Sequence, residues 1–200
     1  MCEKCRGALK IKNIRQFSVH PSKDDFVFLD GVIYGLAYAE NPEIQAAIKQ
    51  FKYRYTQDLA DHFGEILMTK ISQLRAFAKK KIIFIPIPLH RKRLWERGFN
   101  QAELIAENIA GRMAGQGQVY SLLRRNRYTS QQAKLGKRDR QYNLEGAFEL
   151  SGDLSLLEGR VCFLVDDVCT TGSTLDECAR ILKQKGLKKV YGLVIARAFK

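Results

Sequence analysis

Apolar positions along the chain follow two rhythms. Short unbroken apolar runs read as buried strands, and apolar residues three or four apart read as helix faces. Ile82-Ile-Phe-Ile-Pro-Ile-Pro88 and Val161-Cys-Phe-Leu-Val165 are of the first kind, and residues 189–196 form another strand. Residues 56–78 are of the second kind, with Leu59, Phe63, Ile66, Leu67, Ile71 and Leu74 on one stripe. A shorter helix opens before it at Asn41-Pro42-Glu43, with Pro at the first helical position. Asn100 and Glu103 form a capping box for the next helix, with Phe99 and Leu104 as its staple. Leu104, Ile105, Ile109 and Met113 supply its buried face. The last helix carries Leu175, Cys178, Ile181 and Leu182 on its inner stripe, and Gly186 ends it. Residues 26–38 alternate loosely around Asp30-Gly31, which predicts a β-hairpin. A short strand is expected over 119–123, and Phe148 marks a return to structure after a polar stretch. Strands that alternate with helices predict an α/β fold, a twisted and mostly parallel sheet flanked by helices. The expected organisation is a small N-terminal segment, 1–25, followed by one domain, 26–200.

Composition narrows this picture. With 200 residues and 46% apolar content the chain can bury a core of its own. The formal charge of +13 calls for an anionic partner: phosphate esters, nucleic acid or an acidic surface. No apolar run approaches the ~18 residues of a membrane span, and the N-terminus has no signal-peptide pattern, so a cytoplasmic protein without a membrane span is expected. Five cysteines without a secretory signal do not make a disulfide framework. Cys162 and Cys178 fall at core positions, and Cys169 has no base beside it in sequence.

The richest chemistry lies in Val161-Cys-Phe-Leu-Val-Asp-Asp-Val-Cys-Thr-Thr-Gly-Ser-Thr-Leu175. It reads as a buried strand ending in two carboxylates, then a small-residue turn and a helix. Thr170, Thr171, Gly172, Ser173 and Thr174 offer hydroxyls and backbone N–H groups to a phosphate, beside a helix N-terminus. Asp166 and Asp167 can take ribose hydroxyls or a hydrated Mg²⁺. The turn is not a Walker loop, because no Gly-Lys-Ser/Thr follows, and it is not a GxGxxG loop. Successive strand residues face opposite ways, so the two carboxylates need not meet one ligand together.

Two basic segments complete the set. His90, Arg91, Lys92, Arg93 and Arg97 follow the 82–88 strand in a basic loop that runs to Gly98. Trp95 and Phe99 there can stack on a base, although Phe99 also serves as the helix staple. Arg124, Arg125, Arg127, Lys134, Lys137, Arg138 and Arg140 crowd a second segment, 124–140, against the single acid Asp139. That stretch reads as a long functional loop, or as a basic arm tracking a nucleic-acid backbone. Cys2 and Cys5 make half of a zinc ribbon, where Zn²⁺ ordinarily takes four ligands. His20 is a possible third ligand, more simply a loop residue.

The acid pair and its Thr-Thr-Gly loop resemble the phosphoribosyl-pyrophosphate (PRPP) signature of type I phosphoribosyltransferases. Two further segments resemble the ComF family of competence-associated proteins. One is Pro86-Ile-Pro-Leu-His-Arg-Lys-Arg-Leu-Trp-Glu-Arg-Gly-Phe-Asn-Gln101. The other is Arg127-Tyr-Thr-Ser-Gln-Gln-Ala-Lys-Leu135 with Arg138, Arg140, Asn143 and Ala147-Phe148. The resemblance implies that Asp166 and Asp167 bind the ribose hydroxyls of PRPP and that residues 170–174 bind its 5′-phosphate. It also implies that Leu89, His90 and Arg91 form the pyrophosphate loop. Thr129 and Gln132 would lie in a loop that closes over substrate and excludes water. It further implies Mg²⁺ as cofactor, a four-Cys zinc module of which Cys2 and Cys5 are one knuckle, a role in DNA uptake during natural transformation, single-stranded DNA as a partner, and contact with other DNA-uptake proteins. Two readings compete: a PRPP- and DNA-binding protein of competence, or a nucleobase-salvage transferase that makes a nucleotide and pyrophosphate. The charge and the lack of a base-recognition pattern favour the first, while Asp166, Asp167 and Arg91 would be the catalytic set of either.

Overall fold

A computed structural model describes residues 26–39, 41–54, 56–77, 80–128, 144–157 and 159–198. Its strands are β1 (Val32–Ala37), β2 (Ile82–Pro86), β3 (Gly117–Val119), β4 (Leu123–Arg125), β5 (Phe148–Leu150), β6 (Val161–Cys169) and β7 (Val190–Arg197). Its helices are α1 (Pro42–Tyr53), α2 (Gln57–Ser72), α3 (Arg91–Arg97), α4 (Gln101–Gly111) and α5 (Ser173–Gln184), with short 3₁₀ turns at Arg75–Phe77 and Leu154–Leu157. The main sheet has the order β1-β7-β6-β2-β3 and every pairing in it is parallel. β4 and β5 form a separate antiparallel pair. Among the described residues, no helix is long and apolar enough to cross a membrane.

Strict alternation along the central strands builds two cores. On one face Ile82, Phe84, Phe163 and Val165 meet Phe51 of α1, Phe63 and Leu67 of α2, and Ile105 and Ile109 of α4. On the other face Ile83, Ile85, Cys162 and Leu164 meet Leu175, Cys178 and Leu182 of α5, together with Leu123 and Phe148 from the small sheet. β2 is buried at all five positions, as its unbroken apolar run requires.

Several expectations change. The predicted hairpin over 26–38 is a single strand, β1, preceded by a loop that runs along α5. Asp176 on α5 accepts the backbone N–H groups of Val27, Phe28 and Leu29 at 3.2, 2.8 and 2.9 Å. A carboxylate thus takes the place of a partner strand. Asp30 accepts from Val190 N–H at 2.8 Å and pairs with Lys183 at 2.9 Å. Burial alone would raise its carboxyl, but the Val190 N–H and Lys183 outweigh burial and hold it below its ordinary value. The strand expected over 119–123 is divided between β3, on the main sheet, and β4, on the small one. The basic loop after β2 is in part a helix, α3, capped by His90 Nδ1 on Lys92 N–H at 3.2 Å and closed by Gly98 in the left-handed region at φ 78. None of its residues is buried, so it has no apolar stripe to read. The acid pair does not end its strand, because β6 continues to Cys169.

Candidate functional site

The chain turns outward in opposite directions from β2 and β6. β2 leads through α3 and α4 to β3 on one side, and β6 leads through α5 to β7 on the other. Such a topological switch point opens a crevice at the carboxyl ends of the two strands. The acid pair, the 170–174 loop and the start of the basic segment after β2 lie at that edge.

On the β6 side the acid pair straddles the sheet. Asp167 shares the face of Phe163 and Val165, and there Lys52, at the end of α1, meets its Oδ2 at 2.9 Å. Asp166 shares the opposite face, and its Oδ1 accepts Asp167 N–H at 2.8 Å. Burial, then the charge of Asp167, push the Asp166 carboxyl up to about 7, against the pull of that N–H, Lys52 and Arg125. Near neutral pH this group is poised between acid and carboxylate. Cys178, at the same face, is a core thiol whose ionisation burial opposes first and Asp166 second.

The loop that follows has the form of an anion cradle. Gly172 adopts φ 75 at the N-cap of α5, where it brings no side chain to cap the helix. A Cβ there would lie 2.0 Å from Cε1 of Phe26, so only glycine fits. Thr171 Oγ1 and Ser173 Oγ stand 3.0 Å apart at the helix N-terminus. The first N–H groups of a helix have no intrahelical acceptors, and the dipole of the 12-residue α5 adds to them. Hydroxyls, helix N–H groups and two carboxylates make an oxygen-rich set suited to a phosphorylated sugar and a hard divalent cation.

On the β2 side, Ile87 N–H extends the ladder to Val165 O at 2.9 Å. Leu89, His90 and Arg91 therefore stand directly beyond the strand end that neighbours Val165. Asn100 Nδ2 donates to Ile87 O at 3.1 Å and its Oδ1 caps Ala102 N–H at 3.1 Å, as its cap role predicts. Glu103, the expected partner in that capping box, accepts instead from Ser121 Oγ at 3.4 Å. Buried Gln101 ties α3 to the end of α1: it accepts from Arg97 at 2.9 Å and donates to Lys52 O at 3.2 Å.

The described start of the second basic segment meets the first here. Tyr128, beyond β4, lies edge-on to His90 at 5.2 Å, with Lys92 and Arg93 at 5.2 and 5.6 Å from its ring centre. Arg124 is paired with Glu149 across the small sheet, and Arg127 donates to Glu145 O at 2.8 Å. Arg125 is turned inward over Phe148, 5.1 Å from the ring centre, close enough to Asp166 for each to favour the other's charge. Thr129, Gln132, Lys134, Lys137, Arg138 and Arg140 lie outside the described residues, as do Cys2, Cys5 and His20.

Sequence reasoning missed Lys52, Gln101, Asp176 and Phe26. Lys52 sits at an ordinary helix position that no motif distinguishes, and Gln101 closes the Pro86–Gln101 segment, which gave it no role of its own. Asp176 had one signal, an acid in the first turn of a helix, which suits the dipole but says nothing of residues 27–29.

A family model described as the phosphoribosyl transferase domain matches residues 101–198, from the start of α4 to just past β7. The match takes in the acid pair and the 170–174 loop, and with the fold it defines the chain as a phosphoribosyltransferase-type α/β protein. Competence protein F of Haemophilus influenzae is 37% identical over 76% of the chain and 66% of that relative. DNA utilization protein YhgH of Escherichia coli K12 is 30% identical over 74% of the chain and 65% of that relative. Competence protein ComFC of Bacillus subtilis is 32% identical over 74% of the chain and 57% of that relative. The chain belongs to the ComF family, and it spans somewhat less than two thirds of the length of these relatives.

Proposed function

We propose that the protein binds PRPP with Mg²⁺ at the carboxyl edge of β6 and β2, and that it handles single-stranded DNA in the cytoplasm during DNA uptake, alongside other uptake proteins. The observation that carries the first part is the placement of Asp166 and Asp167 beside the Gly172 loop at the switch point. The loop and the α5 N-terminus suit a 5′-phosphate, the acid pair suits ribose hydroxyls, and Leu89, His90 and Arg91 suit the pyrophosphate. Mg²⁺, when bound, would neutralise the diphosphate and ease its departure. Asp166, strained by burial and by Asp167, gains from a nearby cation. The chemistry open to such a site is displacement at C1 of the sugar. A bond to an acceptor forms as the C1–O bond breaks, and its electron pair leaves with pyrophosphate. The chain's own residues contribute positioning and charge rather than a covalent nucleophile.

The DNA part rests on the +13 charge, on the meeting of the first basic segment with the described start of the second, and on relatives named for competence and DNA utilization. A salvage transferase needs no such charge. Calorimetric titration with PRPP and Mg²⁺ tests the first part, with binding expected for the native protein and lost in Asp166→Ala/Asp167→Ala. Absence of binding, or binding indifferent to that double substitution, refutes it. Pyrophosphate release on adding nucleobases would favour the salvage reading. Affinity for an oligonucleotide that ignores salt would refute the DNA reading, since phosphate contacts release counterions.

A further inference from the structure

Among the described residues, five large apolar side chains are exposed, and four of them collect on or beside α3. Leu94 and Trp95 lie on the helix itself, with Trp95 87% exposed. Tyr53, at the end of α1, and Tyr128, beyond β4, flank it through Arg97 at 5.8 Å and through Lys92 and Arg93. Single exposed apolar residues are unremarkable, but a cluster of them marks a contact surface. Its chemistry is mixed. Arg91, Lys92, Arg93 and Arg97 share the helix with a single acid, Glu96.

We propose that the α3 surface is a stacking platform for single-stranded DNA, with Trp95 as its principal contact and Tyr128, across Lys92, beside it. The proposal rests on the DNA reading above and gives it a surface. Alternating rings and cations fit a single strand, whose phosphates meet Arg and Lys while its bases stack on the rings. A duplex hides its base faces. A second copy of this chain would set the same cations against one another. The platform also has a useful address, because α3 follows directly from the Ile87–His90 turn. A strand lying on it runs past the mouth of the crevice that holds the acid pair.

The chain has one tryptophan, so its fluorescence reports this site alone. The experiment titrates the full chain with an oligo(dT) strand, with an abasic strand of equal phosphate number and with an oligo(U) strand. Fluorescence and the anisotropy of a labelled strand are followed in parallel. Oligo(dT) should quench Trp95 far more than the abasic strand does. Trp95→Ala should weaken oligo(dT) binding roughly 5- to 150-fold, the range for loss of one stacked base, while Trp95→Phe retains most of the affinity. The salt slope should be unchanged in both variants, because the indole carries no charge. Circular dichroism checks the fold of each, which an exposed side chain should not disturb. Binding by anisotropy without quenching, or equal affinity for the abasic strand, overturns the platform and leaves the DNA reading standing. No strand binding at any salt overturns both. Stronger quenching by oligo(U) overturns the assignment to DNA. Self-association that Trp95→Ala abolishes, seen by sedimentation, identifies the patch as a contact between copies and overturns it too.

Discussion

The β6–α5 wall of the crevice draws on one continuous stretch, 166–174, and its form is set by backbone: a strand end, a left-handed glycine and a helix N-terminus. The β2–α3 wall is assembled from α1, α3, α4 and the exit of β4, held by side chains such as Gln101, Asn100 and Tyr128. A wall made of consecutive backbone tolerates almost no change at its tight points but needs few partners. A wall made of side chains spreads its dependence over many residues, each of modest weight. Lys52 belongs to both, since its ammonium meets Asp167 while its carbonyl accepts from Gln101.

The sharpest way to break this contrast is Gly172→Ala. The new Cβ would meet the Phe26 ring at 2.0 Å in a left-handed backbone. Loss of about 2–5 kcal/mol in urea unfolding is expected, from backbone strain plus overpacking. Measured against a Phe26→Ala background, the same Gly172→Ala change should cost only the strain. Full stability in the single variant would show that the loop is not backbone-limited.

Next in size is the effect of Asp166 on pH. Its carboxyl is raised from an ordinary 3.8 to about 7 in the folded protein, so the proton favours the native state. Its contribution is complete below the ordinary value and is lost as pH rises towards about 7. Relative to Asp166→Asn, the native protein should lose on the order of a few kcal/mol across that window, with little further change at higher pH. Urea midpoints from pH 4 to 8 read this directly, and parallel curves for the two proteins would remove the strain assigned to the pair.

Smaller again is Lys52→Met, which removes a half-buried counterion and leaves Asp167 without it. About 1–3 kcal/mol is expected, between the values for surface and buried pairs. If a second substitution, Asp167→Asn, restores stability, the two residues act as a pair. If it does not, the role of Lys52 lies in the wall around Gln101.

The difference between the walls also explains what could be read before folding. Asp166, Asp167 and residues 170–174 are neighbours in sequence, so their chemistry was visible as a string, and the α/β class followed from β2, β6 and the stripes of α2 and α5. The misreadings share a cause. Residues 26–30 look like half of a hairpin, yet the N–H groups of Val27, Phe28 and Leu29 go to Asp176, 149 residues away in the case of Val27. The stretch 91–97 looks like a loop because a helix that buries nothing leaves no periodic trace. Arg125 looks like one more cation of a basic arm. Only the register of β4 against β5, with Arg125 opposite Phe148, turns it inward towards Asp166.

The two ends of the described domain meet at the crevice, where the guanidinium of Arg197 lies 5.4 Å from the ring of Phe26. β1 has β7 as its one neighbour in the main sheet. During synthesis on the ribosome, β1 must therefore wait for nearly the whole domain before it can pair, and Phe26 must wait for Gly172. Such distant closure raises contact order and slows folding. A chain halted before β7 therefore has the acid pair and the Gly172 loop but no partner strand for β1.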